Sequence, residues 1–147
     1  MLPGPDDRFG HITKALARPQ DLRRLPMPAM HVVMAMRLCA LFERAGRDPF
    51  SELATRFASA ALAVDVLSLN RRIARSWPDA FVVSRPCCMR LTPDEATLAN
   101  LARFALAADR QAFARELEGF VRTMFHDGLY EQLLSIVAQL SELQHRA

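Results

Sequence analysis

Residues 92–105 read TPDEATLANLARFA, and this stretch decides the fold class. Thr92 followed three residues later by Glu95 is a capping box, in which the Thr hydroxyl accepts from the third helical amide and the Glu carboxylate accepts from the Thr amide. Leu98 and Leu101 then follow at helical spacing, which gives the new helix an apolar face. The stretch therefore predicts a helix that starts at a defined residue and packs against a core.

Apolar stripes of the same period run through the rest of the chain. They predict helices over residues 28–45, 49–76, 93–105, 110–124 and 129–145. Because Pro78 stops the second of these, residues 78–91 are left as one irregular loop. The sequence thus predicts an all-α fold: a Pro-rich irregular lead-in over residues 1–27, with one short helix near residues 12–17, and a single helical domain over residues 28–147 that is a bundle of about five helices.

The last predicted helix carries a regular apolar seam. Its members alternate in steps of four and three, which is the spacing that packs against one neighbouring helix; they are Leu129, Leu133, Ile136, Leu140 and Leu143. The seam fits either a helix of the same chain or a second copy of the protein. This second possibility motivates the expectation of a homodimer.

Composition narrows the class of protein. The chain has 147 residues, 51% hydrophobic and 24% charged, which is typical of one globular domain. It has no signal-peptide core and no apolar run long enough to span a membrane, and its 3 Cys form no disulfide framework, so we expect a cytoplasmic protein. The excess of Arg over Lys favours a bacterial source. No nucleotide loop, metal signature or catalytic constellation is visible, which predicts a non-enzymatic domain without a cofactor.

The loop before the capping box contains two adjacent cysteines, Cys87 and Cys88, flanked by Arg85 and Arg90. Neighbouring cations and a helix N-terminus favour thiolates, so the pair is a candidate redox or soft-metal site. The alternative is that both thiols are reduced packing residues of a loop that covers the bundle. Arg85 and Arg90 are also candidate anion contacts.

Charge is unevenly distributed along the chain. Residues 1–90 carry 14 Lys and Arg against 8 Asp and Glu, whereas residues 91–147 carry 5 against 8. A basic cluster, Arg71, Arg72 and Arg75, ends the long predicted helix and is a candidate phosphate contact. The stretch 53–70 partly fits a helix-turn-helix, but residues 58–61, ASAA, are compatible with continuous helix and contain no Gly.

The run PCCMRLTPDEATL at residues 86–98 resembles a stretch in a family of small helical α-proteobacterial proteins, in which a Pro-Cys-Cys loop leads into a Thr-capped helix. The Arg-rich end of the preceding helix, residues 70–74, is loosely similar too. The resemblance implies a bacterial helical domain and supplies no activity.

Three functional hypotheses follow. The first is a helical domain that acts by protein–protein contact, with a protein partner or as a homodimer. The second is a thiol-based redox sensor or metal-binding protein that uses Cys87 and Cys88. The third is a weak nucleic-acid binder that uses Arg71, Arg72 and Arg75.

Overall fold

The computed structural model describes residues 21–146, which form a bundle of six α-helices. The helices are α1 (Met27–Arg44), α2 (Phe50–Phe57), α3 (Ala60–Ser76), α4 (Pro93–Leu106), α5 (Arg110–Leu117) and α6 (His126–Arg146), with short 3-10 turns at Leu22–Arg24 and Thr123–Phe125. Apart from one bridge between Asp21 and Arg90, these residues contain no β-structure. The all-α prediction is confirmed, with one helix more than expected; the short helix predicted near residues 12–17 lies outside the described residues.

Local signals set most of the helix ends. Thr92 and Glu95 form the predicted capping box, with both hydrogen bonds at 3.0 Å. Asp109 caps α5 by accepting from the Ala112 amide, and Asp48 accepts from the Phe50 amide just before α2. Each contact satisfies an amide that the helix itself leaves without a partner.

The core lies where α4 and α6 meet the other helices. Helix α4 packs on α1, α5 and α6, while α6 also packs on α3. The apolar seam of α6 is buried here, since Leu133 and Ile136 have no exposed surface and Leu140 is 5% exposed. Of the two packing partners predicted for the seam, the structure shows the internal one, since the seam packs within the chain. Four neighbouring helices already cover that face.

The N-terminal bound of the domain and the end of α5 differ from the predictions. Leu22 lies within the predicted lead-in, yet it is buried beside Leu91. Helix α5 ends at Leu117 rather than near residue 124, because Gly119 adopts a left-handed conformation with φ of 75° and the chain turns. Among residues 21–146, no helix is both long and apolar enough to cross a bilayer.

Candidate nucleic-acid interface

The long helix over residues 49–76, predicted as unbroken or bent near Asp65, is instead broken at Ala58, so that prediction is wrong. Ala58 adopts a left-handed conformation with φ of 50° and ψ of 36°, which ends α2. Ser59 then starts α3 by accepting a 3.1 Å hydrogen bond from the Leu62 amide. Ser is a strong N-cap residue, and this was the one sequence signal of the break. The result is two packed helices joined by two residues, a connection of the helix-turn-helix kind that is shorter than the usual three to four residues.

The turn supplies a stability test, because only Gly adopts a left-handed conformation without steric cost. Ala58 is exposed, so its methyl group contributes little burial. Ala58→Gly is expected to raise the free energy of unfolding by about 0.5–1 kcal/mol, measured by urea denaturation. The matched control is Ala74→Gly, at an exposed helical position of α3, which should lower it by about 1 kcal/mol. A loss of similar size in both variants would contradict the left-handed turn.

Helix α3 has one buried face and one that no other described helix covers. Leu62, Val66, Leu69 and Ile73 are buried against the core. The opposite face is made of residues in steps of three and four: Ala61, Val64, Ser68, Arg71 and Arg75. Val64 is 51% exposed on it, which is unusual for a β-branched apolar residue on a packed helix. The face is thus small and apolar near the N-terminus of α3 and cationic near its C-terminus.

The three arginines at the end of α3 do not act as one cluster. Arg72 turns toward α6 and donates to the Gln132 side chain at 2.9 Å. Arg71 and Arg75 are exposed on the uncovered face, where Arg71 also donates to the Leu67 carbonyl at 3.4 Å. Two of the three predicted phosphate contacts are therefore brought to one surface.

The loop over residues 78–91 follows α3 directly and is tied down along its length. At its tip, the Cys88 amide donates to the Arg85 carbonyl at 2.9 Å, which closes a tight turn. At its base, the Asp94 carboxylate accepts from the Val82 amide at 2.8 Å and from the Trp77 indole at 3.2 Å. These contacts give the loop a defined shape although it contains no regular secondary structure. Arg85 and Arg90 are exposed on it.

A buried arginine that sequence reasoning missed fixes the tip of this loop. The Arg37 guanidinium forms a two-pronged ion pair with Glu95, at 2.6 Å and 3.0 Å, and both side chains are fully buried. Its remaining N–H groups donate to three loop carbonyls, those of Arg85, Cys88 and Arg90. All five guanidinium donors are used, so the loop is anchored to α1 and α4 through one side chain. The only sequence signal was a charge in the middle of an apolar helical stretch.

The three cysteines occupy different environments. Cys87 is exposed, Cys88 is half-buried, and Cys39 is buried in the core. Burial raises the pKa of the Cys39 thiol to about 12, so that thiol stays protonated at neutral pH. Within residues 21–146, no group of three or more His, Cys, Asp or Glu side chains is arranged to hold a metal.

An apolar groove lies between the loop and α2, the first helix of the pair. Its volume is about 590 Å³, and it lies between α1, α2 and the loop. Leu53 and Phe57 of α2 line one side, while Pro86 and Met89, which flank the two cysteines, line the other. Partial burial there lowers the pKa of the His31 imidazole. A movement of the loop therefore changes the surroundings of α2.

No family model, curated protein or solved structure matches this chain. The resemblance of residues 86–98 to a family of small α-proteobacterial proteins therefore stays a prediction. What the chain does must be inferred from its own residues and their geometry.

Proposed function

We propose that this chain is a DNA-binding domain of the helix-turn-helix type, in which α3 enters the major groove. The observation that carries the proposal is the break at Ala58, which places a short helix and a longer one in contact across a two-residue turn. In DNA-binding domains of this type, the second helix of the motif lies in the groove and the first crosses the backbone. Helix α3 has the position and the uncovered face that this role requires.

The side chains of that face suit the two kinds of DNA contact. Ala61 and Val64, near the N-terminus of α3, are small enough to let the helix approach the base edges and to contact thymine methyl groups. Arg71 and Arg75 lie two to three turns further along, where they reach phosphates. The face offers little hydrogen bonding to bases, so we expect binding with weak sequence preference.

The charge distribution supports the same orientation. Residues 1–90 contain the helix-turn-helix and the loop, and they carry 14 Lys and Arg against 8 Asp and Glu. Arg85 and Arg90 add two exposed cations on a loop that is held in place. The acidic residues 91–147 form helices behind it. Such asymmetry orients a protein on a polyanion before contact.

The test is binding to a fluorescein-labelled, mixed-sequence duplex, measured by anisotropy over a series of salt concentrations. The double variant Arg71→Ala/Arg75→Ala should bind at least about tenfold more weakly and lose about 1.8 from the slope of log affinity against log salt, because each phosphate contact contributes about 0.9. Arg103→Ala/Arg115→Ala is the control, since it removes the same charge from exposed positions on α4 and α5. No binding at about 50 mM salt, where phosphate contacts are strong, would contradict the proposal. Equal losses of affinity in both double variants would contradict it as well.

Self-association remains part of the proposal, with a second copy as the protein partner. Helix-turn-helix domains commonly bind two half-sites as dimers, because one motif alone makes few contacts. The seam of α6 is occupied within the chain, so a dimer must use another surface. Met124, the most exposed large apolar residue in the described part at 76%, suits such a surface. A DNA-binding role also agrees with the expected bacterial cytoplasm, and nothing in the proposal requires catalysis or a cofactor.

A further inference from the structure

Cys87 and Cys88 lie at the point where the loop is most firmly held. The Cys88 amide donates to the Arg85 carbonyl at 2.9 Å, and the Cys88 carbonyl accepts from the buried Arg37 guanidinium. The next residue, Met89, accepts from the Leu22 amide at 2.7 Å. Both peptide groups of Cys88 are therefore fixed by hydrogen bonds, while the Cys87 thiol is open to solvent.

A bond between the two sulfur atoms is incompatible with this backbone. Adjacent Cα atoms are about 3.8 Å apart across a trans peptide, whereas disulfides normally join Cα atoms about 4.4–6.8 Å apart. The distance between adjacent Cα atoms is fixed by the trans peptide, so the ring closes through ψ of Cys87 and φ of Cys88, and these rotations reorient the peptide units on either side of Cys88. The Cys88 amide donates to the Arg85 carbonyl, and the Cys88 carbonyl accepts from Arg37. Oxidation is therefore expected to break the hydrogen bonds that anchor the loop.

We propose that Cys87 and Cys88 form a thiol–disulfide switch whose oxidation releases the loop from Arg37 and weakens DNA binding. The effect on DNA rests on the function proposed above, whereas the thiol chemistry and the release of the loop do not. Released, the loop no longer holds Arg85 and Arg90 in fixed positions, and Pro86 and Met89 leave the wall of the groove opposite α2. The oxidant is a small disulfide of the glutathione type.

The reaction balances as two thiol–disulfide exchanges. The exposed Cys87 thiolate attacks one sulfur of oxidised glutathione, which forms a mixed disulfide and expels one glutathione thiolate. The Cys88 thiolate then attacks the Cys87 sulfur, which forms the Cys87–Cys88 bond and expels the second glutathione thiolate. The protein loses two electrons and two protons, and both appear in the two glutathione thiols. Cys39 takes no part, since it is buried and stays protonated.

The experiment treats the reduced full-length chain with oxidised glutathione and reads three signals. Intact mass should fall by two hydrogen atoms, and peptide mapping should place the bond between Cys87 and Cys88. Hydrogen exchange at the Leu22 and Cys88 amides should become at least about tenfold faster as their hydrogen bonds open. Affinity for the duplex should fall at least about tenfold as the contacts of Arg85 and Arg90 are lost, and a reducing agent should restore it.

The matched controls are Cys87→Ser and Cys88→Ser, which keep the turn sequence nearly isosteric but cannot close the ring. Each should gain a glutathione adduct or stay unmodified, and its amide exchange should remain slow. Adducts without an internal bond in the natural chain would overturn the switch, as would an internal bond that leaves amide exchange and DNA affinity unchanged. If the reduced chain does not bind DNA at all, the proposed function fails, and mass with amide exchange still decides whether the thiol pair releases the loop.

Discussion

Replacing Arg37 by alanine is expected to lower the free energy of unfolding by about 3–5 kcal/mol. The substitution leaves the Glu95 carboxylate buried without its cation, and it removes the donor from three loop carbonyls. An unpaired charge in the interior costs more than the ion pair contributed, because desolvation is no longer offset. The change therefore leaves one buried carboxylate and three backbone carbonyls without their donor.

Urea denaturation followed by circular dichroism measures this loss, and two further variants separate its causes. Arg37→Lys keeps the charge but places one ammonium group where a planar fork with five donors is needed, so it should recover only part of the stability. The double variant Arg37→Met/Glu95→Leu removes both charges and should be more stable than Arg37→Ala. Arg103→Ala, at an exposed site on α4, is the surface control. A loss below about 1 kcal/mol in Arg37→Ala, within the usual range of surface pairs, would contradict a buried anchor.

The second large effect is expected in the seam of α6. Leu133→Ala and Ile136→Ala should each lower the free energy of unfolding by about 2–5 kcal/mol, because both side chains are fully buried and their removal leaves cavities. Gln144→Ala, at an exposed position of the same helix, should change it by less than about 0.5 kcal/mol.

Protein concentration distinguishes an internal seam from a dimer interface. Since α6 packs on α1, α3, α4 and α5 of its own chain, the urea midpoints of both seam variants should not change with concentration. A midpoint that rises with concentration in the natural chain, and loses that dependence in Leu133→Ala, would place the seam between two copies instead. Light scattering on the same samples reports the oligomeric state directly.

Sequence reasoning worked where one local cause decides the structure. The capping box at Thr92 needs only two side chains three residues apart, and both of its hydrogen bonds form. The apolar stripes of α4 and α6 likewise lie on buried faces, because the helical period links position to burial, whereas Leu41 and Val64, predicted in the stripes of α1 and α3, are exposed. The seam of α6 was predicted as a packing surface, but periodicity cannot say which helix covers it.

The break at Ala58 was missed because tertiary packing overrides propensity there. Ala is the best helix former, so a run with Ala at residues 58, 60 and 61 predicts continuous helix. Burial of Leu53 on α2 together with Leu62 on α3 requires a bend, and the cost of a left-handed Ala is offset by that packing. The proposed function depends on this turn, since the turn is what makes α3 resemble a recognition helix.

Arg37 was missed for a different reason. Its partners are mostly backbone carbonyls, which carry no sequence signature, and its one side-chain partner already had an explanation as a capping residue. A charge within an apolar stretch was the visible signal. Its significance depends on which loop folds over that helix, and that is a property of the tertiary structure.

The reach of Arg37 along the chain also bears on how the domain folds. It meets its partners across 48 to 58 residues, so the loop gains its hydrogen bonds to Arg37 only when α1 comes to lie beside it. Contacts at such separation carry the entropy of closing a long segment and form late in the transition to the native state. The cationic loop is therefore assembled on a finished scaffold, and the barrier to folding should depend little on what sequence it carries.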